Sequence, residues 1–118
     1  MKMLSFNCRG LASLDKNLAL RRLLKTEHID VVFLQETLGL AEVISHLLES
    51  MLPGWSFHAL DVNGCLGGIA LGYKPRSINL RNIWGGIGHI GADIFSSKLG
   101  TNIKLVNVYG PCQHREEF

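Results

Sequence analysis

Val31-Val32-Phe33-Leu34-Gln35-Glu36-Thr37 decides how this chain is read. Residues suited to a buried strand run without a break and end abruptly in a carboxylate and a hydroxyl. A strand buried on both faces needs apolar side chains on both, and this one supplies them until Glu36. In open α/β sheets, ligands gather at the carboxyl ends of strands. Glu36 therefore stands where an active-site acid would stand. An isolated strand-end glutamate more commonly just begins a solvated loop, so the weight falls on the rest of the chain.

Upstream, Met3-Leu4-Ser5-Phe6-Asn7-Cys8 reads as a first strand that stops at Arg9-Gly10, where glycine permits a turn. Ser13 or Asp15 is a candidate cap for a helix running to about Glu27. Leu20, Leu23 and Leu24 give it an apolar stripe, extended back by Leu14. Lys16, Arg21, Arg22 and Lys25 lie mostly off that stripe. They form a solvated basic face or, in a functional reading, a surface for backbone phosphates. His28-Ile29-Asp30 breaks the helix. Strand, helix and strand of this length make a βαβ-like unit. If its strands are parallel, Asn7 and Glu36 end at one edge.

Downstream, a second helix is expected from about Leu40 to Leu52, with Leu40, Val43, Ile44, Leu47, Leu48, Met51 and Leu52 on its apolar side. Thr37 is a candidate N-cap, His46 a surface residue, and Pro53-Gly54 the stop. From Trp55 the texture changes to strands and turns. Trp55 to Leu60 alternates, Asp61-Val62-Asn63-Gly64 favours a tight hairpin, and Cys65 to Tyr73 is the partner strand. Gly67-Gly68 inside that strand implies close approach of another backbone or side chain. It is no phosphate-binding loop, because the P-loop lysine is missing. Pro75-Arg76 turns the chain. Further strands are expected over Ile78–Trp84 and His89–Phe95, separated by a turn at Gly85-Gly86. After a loop over Lys98–Asn102, the last strand is Ile103–Tyr109, with Asn107 and Tyr109 on one face. It ends at Gly110-Pro111, and the polar tail closes on Glu116-Glu117-Phe118, which looks like the first turn of a helix. Two helices among several hairpins suggest α+β or mixed α/β packing.

Composition narrows the class. The 118 residues suit one small domain, and 47% hydrophobic with 19% charged residues describes a globular chain. A net charge of +2 is too weak to argue for nucleic acid by itself. Cys8, Cys65 and Cys112 are widely spaced and odd in number, so no disulfide partner or zinc site is expected and a reducing compartment fits. The five histidines show no ligand spacing. Neither a signal peptide nor a membrane span is visible. The expectation is an intracellular protein that is not secreted and has no membrane partner.

Three polar strand ends stand out together: Ser5-Phe6-Asn7-Cys8-Arg9-Gly10-Leu11, Phe33-Leu34-Gln35-Glu36-Thr37 and Val106-Asn107-Val108-Tyr109-Gly110-Pro111. In that order and spacing they resemble the endonuclease/exonuclease/phosphatase superfamily, the deoxyribonuclease-I-like fold. The Gly67-Gly68-Ile69-Ala70 stretch is similar to the family's Gly-Gly-hydrophobic strand. Within the superfamily the chain most resembles the endonuclease domain of LINE-type, non-LTR retrotransposons, particularly the plant-like version with Asn-x-Arg-Gly-Leu. The apurinic endonucleases are more distant relatives.

The resemblance implies roles residue by residue. Asn7 and Glu36 would hold Mg²⁺ or Mn²⁺. Asn7 and Tyr109 would contact the scissile phosphate, and Arg9 is a possible phosphate clamp. Asn7, Glu36 and Tyr109 are thus the expected catalytic set. Mg²⁺ takes oxygen ligands and keeps several waters, so one carboxylate plus substrate oxygens can hold it.

The resemblance also has a gap. The family's Gly-Asp-x-Asn motif, a later acidic residue that orients a histidine, and a terminal Asp-His pair do not occur in this sequence. His89, His114 and Asp93 stand in the wrong context to replace them. Residues 1–118 are therefore expected to be a truncated domain, the N-terminal half of a four-layer α/β/β/α sandwich. DNA would be the substrate of the intact domain, with the nucleus as its place of action. The half alone is expected to be inactive, with one sheet's inner face uncovered and open to self-association. A related phosphatase acting on inositol-phosphate or lipid phosphoesters, and a non-catalytic remnant, are the alternatives.

Overall fold

The computed structural model describes residues 1–11, 14–61, 67–97 and 99–109. Nine elements follow in order among them: β1 (Met3–Asn7), α1 (Leu14–Thr26), β2 (Val31–Gln35), α2 (Ala41–Met51), β3 (Ser56–Leu60), β4 (Ile69–Tyr73), β5 (Asn79–Gly86), β6 (His89–Ser96) and β7 (Thr101–Val108). Gly110-Pro111, the tail with Cys112 and His114, Ser13 and Cys65 lie outside the described residues.

Two sheets form. The first has the order β1-β2-β4-β3 and the second β5-β6-β7. β1 and β2 are parallel, with Asn7 opposite Gln35. α1 is their crossover, as a parallel pair requires. Every other pairing is antiparallel. β2 is the central strand, buried over all five residues, which is why its sequence is apolar on both faces. Val32 and Leu34 face α1 and α2, in a core with Leu20, Leu24, Ile44, Leu48, Phe57 and Ala70. Val31 and Phe33 face the second sheet, in a core with Ile69, Leu71, Ile78, Ile90, Ala92 and Ile94. Each Val, Leu, Ile or Phe side chain so buried contributes about 1.5–3 kcal/mol. The result is three layers, helices on sheet on sheet: a mixed α/β sandwich that matches the α/β/β part of the expected four-layer fold.

Several local expectations are corrected. On α1 the buried positions are Asn17, Leu20 and Leu24, whereas Leu14 is 70% exposed. Asn17 takes the place because its Nδ2 donates to the Leu11 carbonyl at 2.9 Å, holding the loop that enters the helix. On α2, Leu40 and Val43 are exposed and Ile44 and Leu48 are buried. Thr37 does not cap α2: Leu40 occupies the N-cap without a side-chain bond, and Asp61 Oδ1 accepts the Ala41 N–H instead. The last described β3–β4 pair is Leu60 with Ile69, and Val62-Asn63-Gly64, where a tight hairpin was expected, lies outside the described residues. Gly67-Gly68 precedes β4 and is not part of it. β5 runs through Gly85-Gly86, so the turn falls at 87–88. β7 begins at Thr101, two residues before the expected start.

The inner faces are covered at the centre and open at the edges of the first sheet. Ile90, Ala92 and Ile94 of β6 are buried. Ser5 and Asn7 of β1, whose neighbours Leu4 and Phe6 pack toward the helices, are exposed, and Met3 is 45% exposed. On the other edge strand, His58 of β3, opposite Leu71 on the inner face, is exposed as well.

Candidate active site

Parallel pairing puts the ends of β1 and β2 at one edge of the first sheet, as expected. Past Asn7 and Gln35 the two chains stay joined: Cys8 N–H donates to the Gln35 carbonyl at 2.8 Å, and Gly10 N–H to the Glu36 carbonyl at 2.7 Å. Asn7, Arg9 and Glu36 are thereby held on adjacent turns. Asn7 Oδ1 accepts the Arg9 N–H at 3.1 Å, an Asx-type turn. That bond fixes the amide, leaves Nδ2 as a donor, and leaves Oδ1 a second lone pair. Asn7 and Arg9 are exposed, and Glu36 is half-buried.

The backbone here is strained. Arg9, Glu36 and Leu38 have φ of +49°, +55° and +54°, a region that costs a non-glycine residue roughly 1–2 kcal/mol. The Gly67-Gly68 pair makes room for this segment. A Cβ on Gly67 would meet the Glu36 Cα at 3.0 Å and its Cγ at 3.2 Å, and a Cβ on Gly68 would meet Thr37 Oγ1 at 2.5 Å. Leu38 N–H donates to the Gly67 carbonyl. The close approach expected of this glycine pair is thus to the Glu36 turn itself.

The second sheet reaches the same edge through β7. Asn107 is buried on its inner face, opposite Ile90. Gln35 Nε2 donates to Asn107 Oδ1 at 2.8 Å and to Ser5 Oγ at 2.8 Å. Two residues on, Tyr109 packs half-buried against the inter-sheet core, and its N–H donates to the Gly88 carbonyl at 2.7 Å. Asn7, Arg9, Glu36 and Tyr109 therefore gather at one end of the sandwich. Gln35 and Asn107 are additional site residues. The signal for them was in the sequence, as polar side chains at the inner ends of otherwise apolar strands.

His89 and Asp93 lie elsewhere. They alternate with the buried Ile90, Ala92 and Ile94 and so sit on the outer face of β6. There Asp93 pairs with Lys104 at 3.5 Å.

The donor set suits a hard cation. Burial pushes the Cys8 thiol up to about 12, with Lys16 nearby opposing the shift and Glu36 adding to it, so no thiolate is offered at neutral pH. What remains is the Glu36 carboxylate and amide oxygens, the chemistry that Mg²⁺ or Mn²⁺ accepts. Among the described residues, no three His, Cys, Asp or Glu gather as a metal cluster. Asn107 Nδ2 and Thr37 Oγ1 are buried here without a partner among the described residues. An orphaned amide donor fits a phosphate oxygen better than a cation. Lys16 also reaches this end, donating to the Arg9 carbonyl at 3.3 Å.

Comparisons with known proteins agree with this architecture. The sequence model described as the Endonuclease/Exonuclease/phosphatase family matches residues 4–115. D. rerio TDP2 complexed with single strand DNA product is similar in structure, with a TM-score of 0.65 at 19% identity over 87% of this chain and 43% of that one. The AP endonuclease LMAP from Leishmania major gives 0.66 at 23% identity, over 89% and 38%. An endonuclease/exonuclease/phosphatase family protein from Leptotrichia buccalis gives 0.65 at 16% identity, over 98% and 56%. At these identities the likeness is one of fold. The chain spans about half, or less, of the length of these structures. No curated protein matches. Among the described residues, no helix is long and apolar enough to cross a membrane.

Proposed function

This chain belongs to the endonuclease/exonuclease/phosphatase family, and from that membership we propose that it supplies the cation- and phosphate-holding part of a Mg²⁺- or Mn²⁺-dependent DNA endonuclease. One observation carries the reading. Asn7, Glu36 and Tyr109, on three separate strand ends, converge on one edge, with Glu36 held in a strained backbone that costs stability. Strain of this kind clusters at functional sites.

In this reading Glu36 and Asn7 Oδ1 hold the cation, and Asn7 Nδ2 and the Tyr109 hydroxyl donate to phosphate oxygens. Such preorganised donors lower the cost of charge developing on the phosphate. A bound cation would offset the same charge and orient the attacking water. Arg9, on the Asn7 turn, is placed to clamp a neighbouring phosphate. The Asn7-x-Arg9-Gly10-Leu11 stretch supports an enzyme of the non-LTR retrotransposon type, which would act in the nucleus. The single-stranded DNA product bound by a structural neighbour supports DNA as the substrate class.

His89 and Asp93 sit on the outer face of β6, away from this edge. In this reading residues 1–118 by themselves supply a half-site, because their sequence lacks the family's Gly-Asp-x-Asn motif and terminal Asp-His pair. The test is a Mn²⁺ titration followed by amide NMR, with plasmid nicking in parallel. Paramagnetic broadening should centre on Asn7 and 35–38 and vanish in Glu36→Gln. Broadening centred elsewhere would refute the site. Nicking by the 118-residue chain that is lost in EDTA and in Glu36→Ala would show a complete active site and overturn the half-site reading.

A further inference from the structure

The opposite pole of the first sheet carries a second feature. Because β4 runs antiparallel to β2, its exit at Tyr73-Lys74 lies beside the start of β2, roughly 15 Å along the strand from Glu36. A cavity of about 410 Å³ opens there, and Arg21, Lys25, His28, Trp55 and Lys74 are among its lining residues. A second cavity of about 450 Å³ shares Trp55 and Lys74 and adds Arg76. No carboxylate lines either cavity. Four permanent cations and a histidine thus surround one half-buried indole, in a chain whose net charge is only +2.

The local geometry explains the clustering. Arg21 and Lys25 lie one turn apart on the last part of α1. His28 closes that helix with φ +53°, and its N–H reaches the Lys25 carbonyl at 3.3 Å. Trp55 stacks on Phe57 with ring centroids 6.1 Å apart, which fixes the indole at the mouth of the groove. The Lys74 ammonium lies 5.6 Å from the indole centroid. That is a place a base could take while the ammonium turns to a phosphate.

We propose that this groove binds single-stranded nucleic acid, with a base stacked on Trp55 and neighbouring phosphates on Arg21, Lys25, Lys74 and Arg76. Charge complementarity selects a polyanion, and an aromatic ring inside a concave basic groove selects unpaired bases over a duplex. The groove is independent of the strand-end site and of its proposed reaction.

The test uses the full chain as Trp84→Phe, which leaves Trp55 as the sole tryptophan, in EDTA. An oligothymidylate of about fifteen nucleotides should quench Trp55 fluorescence and raise anisotropy together. Affinity should fall with salt at a log–log slope of about −3, the value for four phosphate contacts on a single strand. The exposed double reversal Arg21→Glu with Lys25→Glu should weaken binding about ten-fold or more. Anisotropy without quenching would place the DNA elsewhere and overturn the proposal. So would unchanged affinity in the reversal variant, equal quenching by an oligoglutamate, or no binding at all.

Discussion

Gln35 Nε2 donates to Asn107 Oδ1 at 2.8 Å, and this bond ties the central strand of one sheet to the last strand of the other. It lies one residue before Glu36 and two before Tyr109. Both amides are buried, so neither can turn to water if its partner is lost. A buried polar group left unpaired costs about 1–3 kcal/mol. Gln35→Met should therefore lower the unfolding free energy by about that amount, and Asn107→Leu by less, because Gln35 Nε2 keeps its bond to Ser5 Oγ and the unpaired Asn107 Nδ2 is removed. The double variant should cost less than the sum, because no orphaned amide remains. Urea denaturation of the four proteins measures the coupling. Strict additivity would mean the bond does not join the sheets in solution.

The glycine pair before β4 gives a sharper contrast. Gly68 has φ +91°, and an added Cβ would meet Thr37 Oγ1 at 2.5 Å. Gly54 has φ +88° but open space around it. Gly54→Ala should cost about 1 kcal/mol, from backbone conformation alone. Gly68→Ala carries that cost plus displacement of the Thr37 turn, so about 2 kcal/mol or more. It should also shift the Glu36 amide resonance, whereas Gly54→Ala leaves it in place. Equal costs would show that the Thr37 contact relaxes without effect.

The α2 cap is a third case. Asp61 lies beyond β3, yet its Oδ1 accepts the Ala41 N–H at the start of α2. Loss of a capping carboxylate usually costs about 1 kcal/mol. Asp61→Ala should do so, and Asp61→Asn, which keeps the oxygen, should recover most of it. Thermal unfolding distinguishes them. Thr37→Val should show no capping loss.

These cases mark what sequence could and could not say. β2 was legible because a strand buried on both faces must be apolar throughout. The parallel pair was legible because a helix of that length must cross over. The strand ends Asn7, Glu36 and Tyr109 were legible as polar breaks in apolar runs. The α2 cap was not, because its donor and acceptor lie 20 residues apart and only tertiary packing joins them. The room the Glu36 turn needs placed Gly67-Gly68 outside β4. The Gln35–Asn107 bond, spanning 72 residues, depends on which sheets face each other, which no local pattern encodes.

Cys8 carries a pH signature. Its thiol is raised from the usual 9.0 to about 12, chiefly by burial; Lys16 opposes the shift and Glu36 adds to it. A raised folded value means the stabilisation is complete below pH 9 and is lost as pH climbs toward 12. Relative to Cys8→Ala, the native chain should lose stability over that window, at no more than about 1.4 kcal/mol per pH unit. In a chain with Cys65 and Cys112 replaced by serine, Cys8 should react with a thiol reagent at pH 8 only as fast as the protein opens. Rapid reaction in the folded state would contradict the burial.

Glu36 joins stability to function. Its φ of +55° costs an ordinary residue roughly 1–2 kcal/mol, as does the φ of +54° at Leu38 two residues on. Glu36→Gly removes the strain but adds about 0.5–1 kcal/mol of chain entropy to be lost on folding. The net should lie between no change and a gain of about 1.5 kcal/mol. Glu36→Ala keeps the Cβ and the strain, so it should not gain. If the carboxylate serves a cation and not the fold, Glu36→Gly should abolish Mn²⁺ broadening at Asn7 while the protein becomes no less stable, the trade-off expected of a strained functional residue. A Glu36→Gly variant destabilised by more than about 1 kcal/mol would mean instead that the side chain holds the fold together, and the strain would then belong to the architecture and not to the site.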